Sequence, residues 1–345
     1  MHVLITGHTG FKGAWLTVLL HELGHTVSGL SLDPDPGALY ELAGLGELLS
    51  ADLRVDIRDA GQTSEAIMSV APDVVVHLAA QPLVRRSYRE PRLTYETNVM
   101  GTYNVLEAAS ATPSIRALVI ATTDKVYRNV NRPEGYREDE PLGGDDPYSS
   151  SKAMADLLTQ SWVKSFSGPP IGIVRAGNVI GGGDVSADRL LVDLIEGFRG
   201  ETPVAIRYPG AVRPWQHVLD CPNGYVRVMD ALLGGSASDA WNIGPDERSF
   251  VTVREIADEM AAQWSETASW EDHSDADHLH EASLLALDAG KAGETLGWHD
   301  LIPYPESLAW TVRWAKSIDA GADPQEETRE QVRSFLALRA KASQV

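Results

Sequence analysis

Tyr148 and Lys152 place a phenol and an ammonium four residues apart, on one face of any helix that contains them. A nearby ammonium favours the phenolate, which would lower the tyrosine pKa toward use as a base. From spacing alone, a surface Tyr/Lys pair is the better reading. Position changes that. Upstream, Thr122-Thr123-Asp124-Lys125 closes the apolar run Ala117-Leu118-Val119-Ile120-Ala121, and open α/β sheets bind ligands at the carboxyl ends of parallel strands. A second constellation, Gly7-His8-Thr9-Gly10-Phe11-Lys12-Gly13, follows a strand signal and opens a helix signal. Its glycines permit a tight turn and close backbone approach to a pyrophosphate seated on the helix N-terminus. Strand, turn and helix, with Asp33 20 residues after Gly13, make a dinucleotide site. Asp33 is placed for an adenosine ribose 2′-OH, which favours NAD over NADP. Asp35 is close, and Pro34 leaves the local path open. His8 is bulky for this turn: it either crowds the cofactor phosphates or points to solvent.

These groups need a scaffold. Val3-Leu4-Ile5, Thr26 to Leu32, Asp73 to Leu78, Ala117 to Ala121 and Ile171 to Arg175 read as buried strands, with helices expected over Ala14 to Leu23 and Leu93 to Ala111. Alternation of this kind predicts an α/β fold: a Rossmann-type doubly wound parallel sheet with helices on both faces. A smaller mixed α/β substrate lobe is expected after it, with helices at Leu190–Gly197, Val218–Leu233, Val253–Gln263 and Pro305–Lys316. The expected division is 1–176 for the dinucleotide domain, interwoven with later segments, 177–320 for the substrate lobe, and 321–345 for a polar tail with a short helix.

The 345 residues carry 29 Lys+Arg against 49 Asp+Glu, a net charge of −20. That field repels phosphate backbones, so no nucleic-acid or anionic-membrane partner is expected. An anionic small molecule would need a local basic pocket, and Arg189, Arg207 and Arg213 can supply one, since arginine forks suit pyrophosphate oxygens. The lone cysteine, Cys221, forms no internal disulfide or cysteine cluster. Neither a targeting leader nor a membrane-spanning run is expected, which fits a cytoplasmic protein. His273, His278 and His280 sit among Glu271, Asp272, Asp275 and Asp277, but their spacing matches no closed zinc pattern. A solvated acidic loop and no metal are expected. Trp241, Trp264, Trp298, Trp310 and Trp314 are read as packing.

The turn Gly7 to Gly13, His77-Leu78-Ala79-Ala80, the helix containing Asn98, and Tyr148/Lys152 resemble the extended short-chain dehydrogenase/reductases that act on nucleotide sugars. Within that NAD-dependent epimerase/dehydratase family the chain is most similar to the CDP-glucose 4,6-dehydratases. The segments that carry this likeness include Ala79 to Arg85, Asn98 to Thr102, Thr123-Asp124-Lys125, Gly135 to Asp139, Arg175 to Asp184, Arg213 to Val218, Trp241 to Pro245 and His280-Glu281-Ala282. The likeness covers nearly the whole chain to about residue 316.

The resemblance implies NAD bound by Gly7, Thr9, Gly10, Phe11, Lys12, Gly13, Asp33, Asp56, Ile57, Ala79, Ala80, Gln81, Asn98, Thr122, Tyr148 and Lys152. It implies oxidation of the sugar at C4, loss of water across C5 and C6, and hydride return to C6. Tyr148 would accept the C4 hydroxyl proton, Lys152 would hold the nicotinamide ribose, and Thr123 would bond the C4 oxygen. Asp124 would protonate the departing C6 hydroxyl, which asks for a carboxyl kept protonated by burial. Lys125 stands where the dTDP-glucose enzymes carry a carboxylate that takes the C5 proton. It would act there as a neutral base or as a cation stabilising the enolate. Gln81, Asn178, Arg189, Arg207, Arg213, His217 and His280 would bind the nucleotide sugar. A homodimer through the helices near 93–111 and 148–166 is implied by analogy.

The chain departs from the family pattern at Val185, at Val192, at Asn131-Arg132-Pro133-Glu134 and at Asp220-Cys221-Pro222. All lie in the substrate half or the loop over it. A dehydratase for another nucleotide, a 4-epimerase or reductase on the same scaffold, and a catalytically silent dinucleotide-binding protein are the competing readings.

Overall fold

The computed structural model describes residues 1–274 and 285–342. Six short segments form strands β1 (His2–Thr6), β2 (Thr26–Ser31), β3 (Ala51–Arg54), β4 (Val74–His77), β5 (Ala117–Ala121) and β6 (Ile171–Ala176), apolar except at the edge strand β3. Val74, Val75 and Val76 are all buried, as a strand covered on both faces requires. With a seventh strand, Asp239–Ile243, they make one sheet in the order seventh–β6–β5–β4–β1–β2–β3. Every pairing is parallel. Strand order reverses between β1 and β4, and that switch point opens a crevice at the carboxyl edge. The doubly wound sheet expected from the alternation is therefore present. The seventh strand returns a segment from beyond residue 177 to it.

The helix Phe11–Glu22 leaves β1 through the glycine turn, and Gly24, at φ +79°, ends it. The helix expected over Leu93–Ala111 has three parts: Pro91–Tyr95, a π turn at Glu96–Met100, and Gly101–Ala111. The helix Pro147–Ser165 starts with Pro147 at its first turn and Asp146 accepting from the Ser149 amide. The helices expected for the second lobe are Leu190–Arg199, Asp220–Leu233, Val253–Trp264 and Glu306–Asp319. Leu194, Phe198, Ile256, Met260 and Leu308 form a core between the first, third and fourth of them. Asp220–Leu233 instead covers β5 and β6, where Tyr225, Val228 and Met229 join the core of the large sheet. Trp241, Trp298, Trp310 and Trp314 are buried and Trp264 half-buried, so these rings do pack. Among the described residues no helix is long and apolar enough to cross a membrane.

After residue 321 the chain forms a 19-residue helix, Pro324–Ala342, rather than a short one. Its polar composition hides a buried stripe of Thr328, Gln331, Val332 and Phe335 at helical spacing. Arg329 and Arg333 pair with Glu22 at 2.6 and 3.0 Å, which fastens it to the back of Phe11–Glu22.

Candidate active site

β1 delivers the chain into the turn with Gly7 at φ +79°, where an added Cβ would lie 2.7 Å from the Ala79 amide nitrogen. A Cβ on Gly13 would lie 2.2 Å from the Gly7 carbonyl oxygen. At Gly10 the nearest atom would be 3.5 Å away, so the turn is open on that side. Gly10 caps the helix without a side-chain bond, and no acid occupies the first turn. Unpaired amides at a helix start with an open glycine above them fit a dinucleotide pyrophosphate.

His8 follows neither of the two courses open to it in the sequence. It is fully buried beneath the turn, where Gly29 of β2 leaves room; a Cβ there would lie 2.3 Å from the ring. Its Nε2 meets Asp52 at 2.8 Å, and Asp52 also accepts from Tyr40 at 2.6 Å and from Arg54. Arg54 reaches Asp33 at 3.2 Å, which holds the exposed ribose-binding candidate at the end of β2. Burial outweighs the Asp52 bond and pushes His8 below its usual pKa. The missing side chain at Gly29 was the signal available in the sequence.

The remaining cofactor candidates line the same carboxyl edge. Thr9 bonds Ser31 at 2.7 Å and donates to the Leu32 carbonyl. Asp56 accepts from Arg58, and Ile57 packs against Gly101. Phe11, Ala79 and Ala80 are half-buried. Gln81 and Asn98 interlock: the Gln81 amide donates to Asn98 Oδ1 at 2.8 Å, and Asn98 Nδ2 donates to the Gln81 carbonyl at 3.1 Å and to Ser151 at 2.8 Å. Asn98 lies in the π turn, a device frequent at functional sites.

β5 and the helix Pro147–Ser165 bring the five chemical candidates together. Thr123 donates to Asp124 Oδ1 at 2.7 Å, and Lys125 Nζ lies 3.1 Å from the same oxygen. The Thr123 hydroxyl also lies near enough to the Tyr148 phenol to favour its ionised form. Tyr148, Thr123 and Asp124 are buried, whereas the Lys125 side chain keeps 28% exposure. Lys152 donates to the Ala121 carbonyl at 2.8 Å. Burial, then the neighbouring Lys12 ammonium, pushes Lys152 down to about 8. Lys12 itself donates to the Gly177 carbonyl at 3.3 Å. The spacing argument predicted a lowered Tyr148 pKa; burial instead raises it to about 12, against the nearby Thr123 hydroxyl and the Arg189 charge.

A buried ionic network stands behind this turn. Arg175 of β6 donates to both oxygens of Asp156 at 2.8 and 2.9 Å, and to Tyr127 and the Glu138 carbonyl at 2.9 Å. Thr122 donates to Asp156 at 3.2 Å, and Tyr127 to Asn242 of the seventh strand at 2.7 Å.

Of the substrate candidates, Arg189 lies close enough for its charge to act on Tyr148, and its Nη1 is 3.4 Å from Asn178 Oδ1. Its buried Nε has no hydrogen-bond partner among the described residues. Arg207 is exposed on the second lobe. Arg213 is half-buried and donates to the Val212 carbonyl at 2.9 Å. His217 sits in the core instead, fully buried and edge-on to Trp15 and Trp310, its Nδ1 accepting from the Leu219 amide. His278 and His280 lie outside the described residues; His273 is exposed, 3.0 Å from Glu271.

Burial holds two histidines neutral. His77 bridges Thr6 at 2.7 Å and Thr102 at 3.1 Å, and is pushed down to about 3 by burial and then by Lys152. Burial alone pushes His217 to about 3. A histidine with a depressed folded pKa contributes stability above its unfolded value of 6.5 and loses it as pH falls toward 3. The melting temperature should therefore fall steadily across that window. His217→Gln should flatten the slope; an unchanged slope would refute this origin.

The sequence pattern of the NAD dependent epimerase/dehydratase family matches residues 3–244, which span the glycine turn, Thr123-Asp124-Lys125 and Tyr148/Lys152. The chain belongs to that family. Among its epimerase/dehydratase relatives, the CDP-glucose 4,6-dehydratase of Salmonella typhimurium is 42% identical over 97% of this chain and 96% of its own length. The dTDP-glucose 4,6-dehydratase of Mycolicibacterium smegmatis is 28% identical over 96% and 98%. A solved dTDP-glucose 4,6-dehydratase, DesIV of Streptomyces venezuelae with NAD and TYD bound, matches with a TM-score of 0.79 at 26% identity, covering 94% of this chain and all of the other.

Proposed function

We propose that the chain is a nucleotide-sugar 4,6-dehydratase that converts CDP-glucose to CDP-4-keto-6-deoxyglucose with NAD as its recycled cofactor. The observation that carries this reading is the placement of Asp124 and Lys125, an acid and an amine 3.1 Å apart, near the buried Tyr148. A 4-epimerase needs no acid at C6, and a reductase needs no second base. The relatives' substrates support the same chemistry, and the 42% identity supports the CDP-glucose assignment.

NAD, when bound, accepts hydride from C4 and returns it to C6. The open face of Gly10 and the free helix start hold its pyrophosphate, Asp33 its adenosine ribose and Lys152 its nicotinamide ribose. Tyr148 takes the C4 hydroxyl proton while Thr123 bonds that oxygen. Asp124 gives a proton to the departing C6 hydroxyl. Lys125 works at C5, as base or as cation beside the enolate. Arg189, with its unpaired buried Nε, and Asn178 bind the substrate, with Arg207 and Arg213 completing a cationic pocket in an acidic protein. Asp220 lies at one departure from the family pattern. Its carboxyl is bonded to the Leu301 and Ile302 amides at 2.9 and 3.0 Å, so that change bears on packing rather than on the nucleotide.

A cytoplasmic homodimer is part of the proposal. Met100, Met154, Leu157 and Phe166 are exposed on or beside the two helices expected to pair across it; sedimentation as a monomer at micromolar concentration would remove it.

Purified protein with NAD should turn over CDP-glucose in preference to dTDP-, GDP- or UDP-glucose. The product should show the alkali-induced absorbance of a 4-keto-6-deoxy sugar, lose one water by mass and cause no net reduction of NAD. Product from a different nucleotide would correct the substrate. No product from any would overturn the reading.

A further inference from the structure

Asp33, expected at the adenosine ribose, stands beside a cation. It follows β2 with its side chain 91% exposed, and Arg54 Nε lies 3.2 Å from its Oδ1. Arg54 ends β3, in register with Ser31 at the end of β2. The far edge of its guanidinium is pinned. Asp52, two residues earlier and so on the same face of the strand, accepts from Nη2 at 3.0 Å and from Nη1. Asp52 is itself fixed by the Tyr40 hydroxyl at 2.6 Å and by His8 Nε2 at 2.8 Å, beneath the glycine turn. The Tyr40 ring centre lies 5.5 Å from the guanidinium carbon. Side chains from three segments therefore fix which edge of Arg54 meets the exposed carboxylate.

These contacts give one spot two opposite capacities. An ionised Asp33 only accepts hydrogen bonds, so it suits a ribose 2′-OH and repels a phosphate in its place. The Nε edge of Arg54 only donates, and a guanidinium suits phosphate oxygens. In the wild type the two groups satisfy each other. With Asp52 they carry one net negative charge. Without Asp33 that charge is gone, and the Nε edge faces the emptied position.

We propose that Arg54 is a cofactor-specificity residue: paired with Asp33 it orients the carboxylate for the 2′-OH of NAD, and without Asp33 it becomes the group that takes the 2′-phosphate of NADP. The inference rests on Asp33 lying at the adenosine ribose, as the proposed function has it. It goes further by assigning NAD selectivity to a pair of side chains instead of a lone acid.

The test is binding of NAD⁺ and NADP⁺, measured by competition with labelled NAD⁺ and with no sugar present. Asp33→Ser should bind NADP⁺ about 10–100-fold more tightly than wild type does, the scale of one charge-assisted hydrogen bond, and NAD⁺ more weakly. Asp33→Ser combined with Arg54→Met should lose that gain. Arg54→Met alone should weaken NAD⁺ binding without improving NADP⁺ binding, because Asp33 stays. A gain that survives in the combined variant would come from relief of repulsion alone and would overturn the role of Arg54; so would no gain in Asp33→Ser. If Arg54→Met unfolds the cluster around Asp52, salt decides within Asp33→Ser itself. The affinity for NADP⁺ relative to NAD⁺ isolates the 2′-phosphate. Attraction to Arg54 makes that ratio fall as salt screens it, and a flat or rising ratio overturns the proposal. Since no sugar is present, these outcomes leave the dehydratase assay untouched; a wild type that binds neither nucleotide would overturn both readings.

Discussion

Lys125→Ala should lower kcat by about 10²–10⁴, the range for a lost proton-transfer group, and abolish exchange of the C5 proton with solvent. The side chain is partly exposed and ends 3.1 Å from Asp124, so its removal opens no large cavity and should leave stability close to wild type. The two roles open to it separate at Lys125→Arg. Arginine stays charged at any working pH. It can stabilise an enolate but cannot accept a proton, so a base at 125 predicts that deuterium washout from C5 stays lost in the arginine variant. An electrostatic helper predicts partial recovery of washout. Wild-type washout in Lys125→Ala would remove Lys125 from the C5 chemistry altogether.

The second large effect concerns stability. Asp156→Ala should cost about 3–5 kcal/mol, the range for breaking a buried ion pair on one side. Arg175 is 1% exposed, and its guanidinium would be left charged in the core with Tyr127 and one carbonyl as partners. Burial works to lower the Arg175 pKa, yet the Asp156 bonds and charge leave it raised, so this partner is what offsets the desolvation of the guanidinium. Midpoints from urea unfolding would measure the loss. Asp156→Leu with Arg175→Met should cost less than the single change, because no unpaired charge remains. A single-variant loss below about 1 kcal/mol, the level of an exposed pair, would contradict the network's role. Activity should fall as well, since Thr122, directly before Thr123, donates to Asp156.

Most of the scaffold was legible in the sequence because its strands are short apolar runs and its helices follow glycine or proline signals. The chemical candidates were legible because Thr123-Asp124-Lys125 and Tyr148/Lys152 are local strings, and the parallel sheet has one edge where such strings converge. What escaped was set by distant partners. His8 looked like an obstruction because nothing local shows that Gly29, on the next strand, leaves a hole of ring size. His217 sits in a segment that resembles a substrate string, but Trp15 and Trp310 close over it from far along the chain. Asp156 and Arg175 gave no signal, since a charge in a helix and another in a strand read as surface until both are seen at the core. The raised Tyr148 pKa came from burial, whereas spacing alone suggested the influence of Lys152. The last helix was underestimated because only one stripe of a polar segment is apolar.

The π turn at Glu96–Met100 amounts to a residue inserted into an otherwise continuous helix from Pro91 to Ala111. Each residue of an α-helix advances about 100° around the axis. Deleting Met100 or Gly101 would let the segment relax into plain α-helix; the flanking turns would keep their phase, because the wide turn absorbs the extra residue, and the residues within it would rotate to α spacing. Asn98 would then face away from Gln81 and Ser151, and the loop after β4 would lose its tie to the tyrosine-bearing helix. A length change of a single residue, with every functional group retained, would thus behave like a point mutation in the active site. Related chains lacking the extra residue would have to tie that loop by some other side chain.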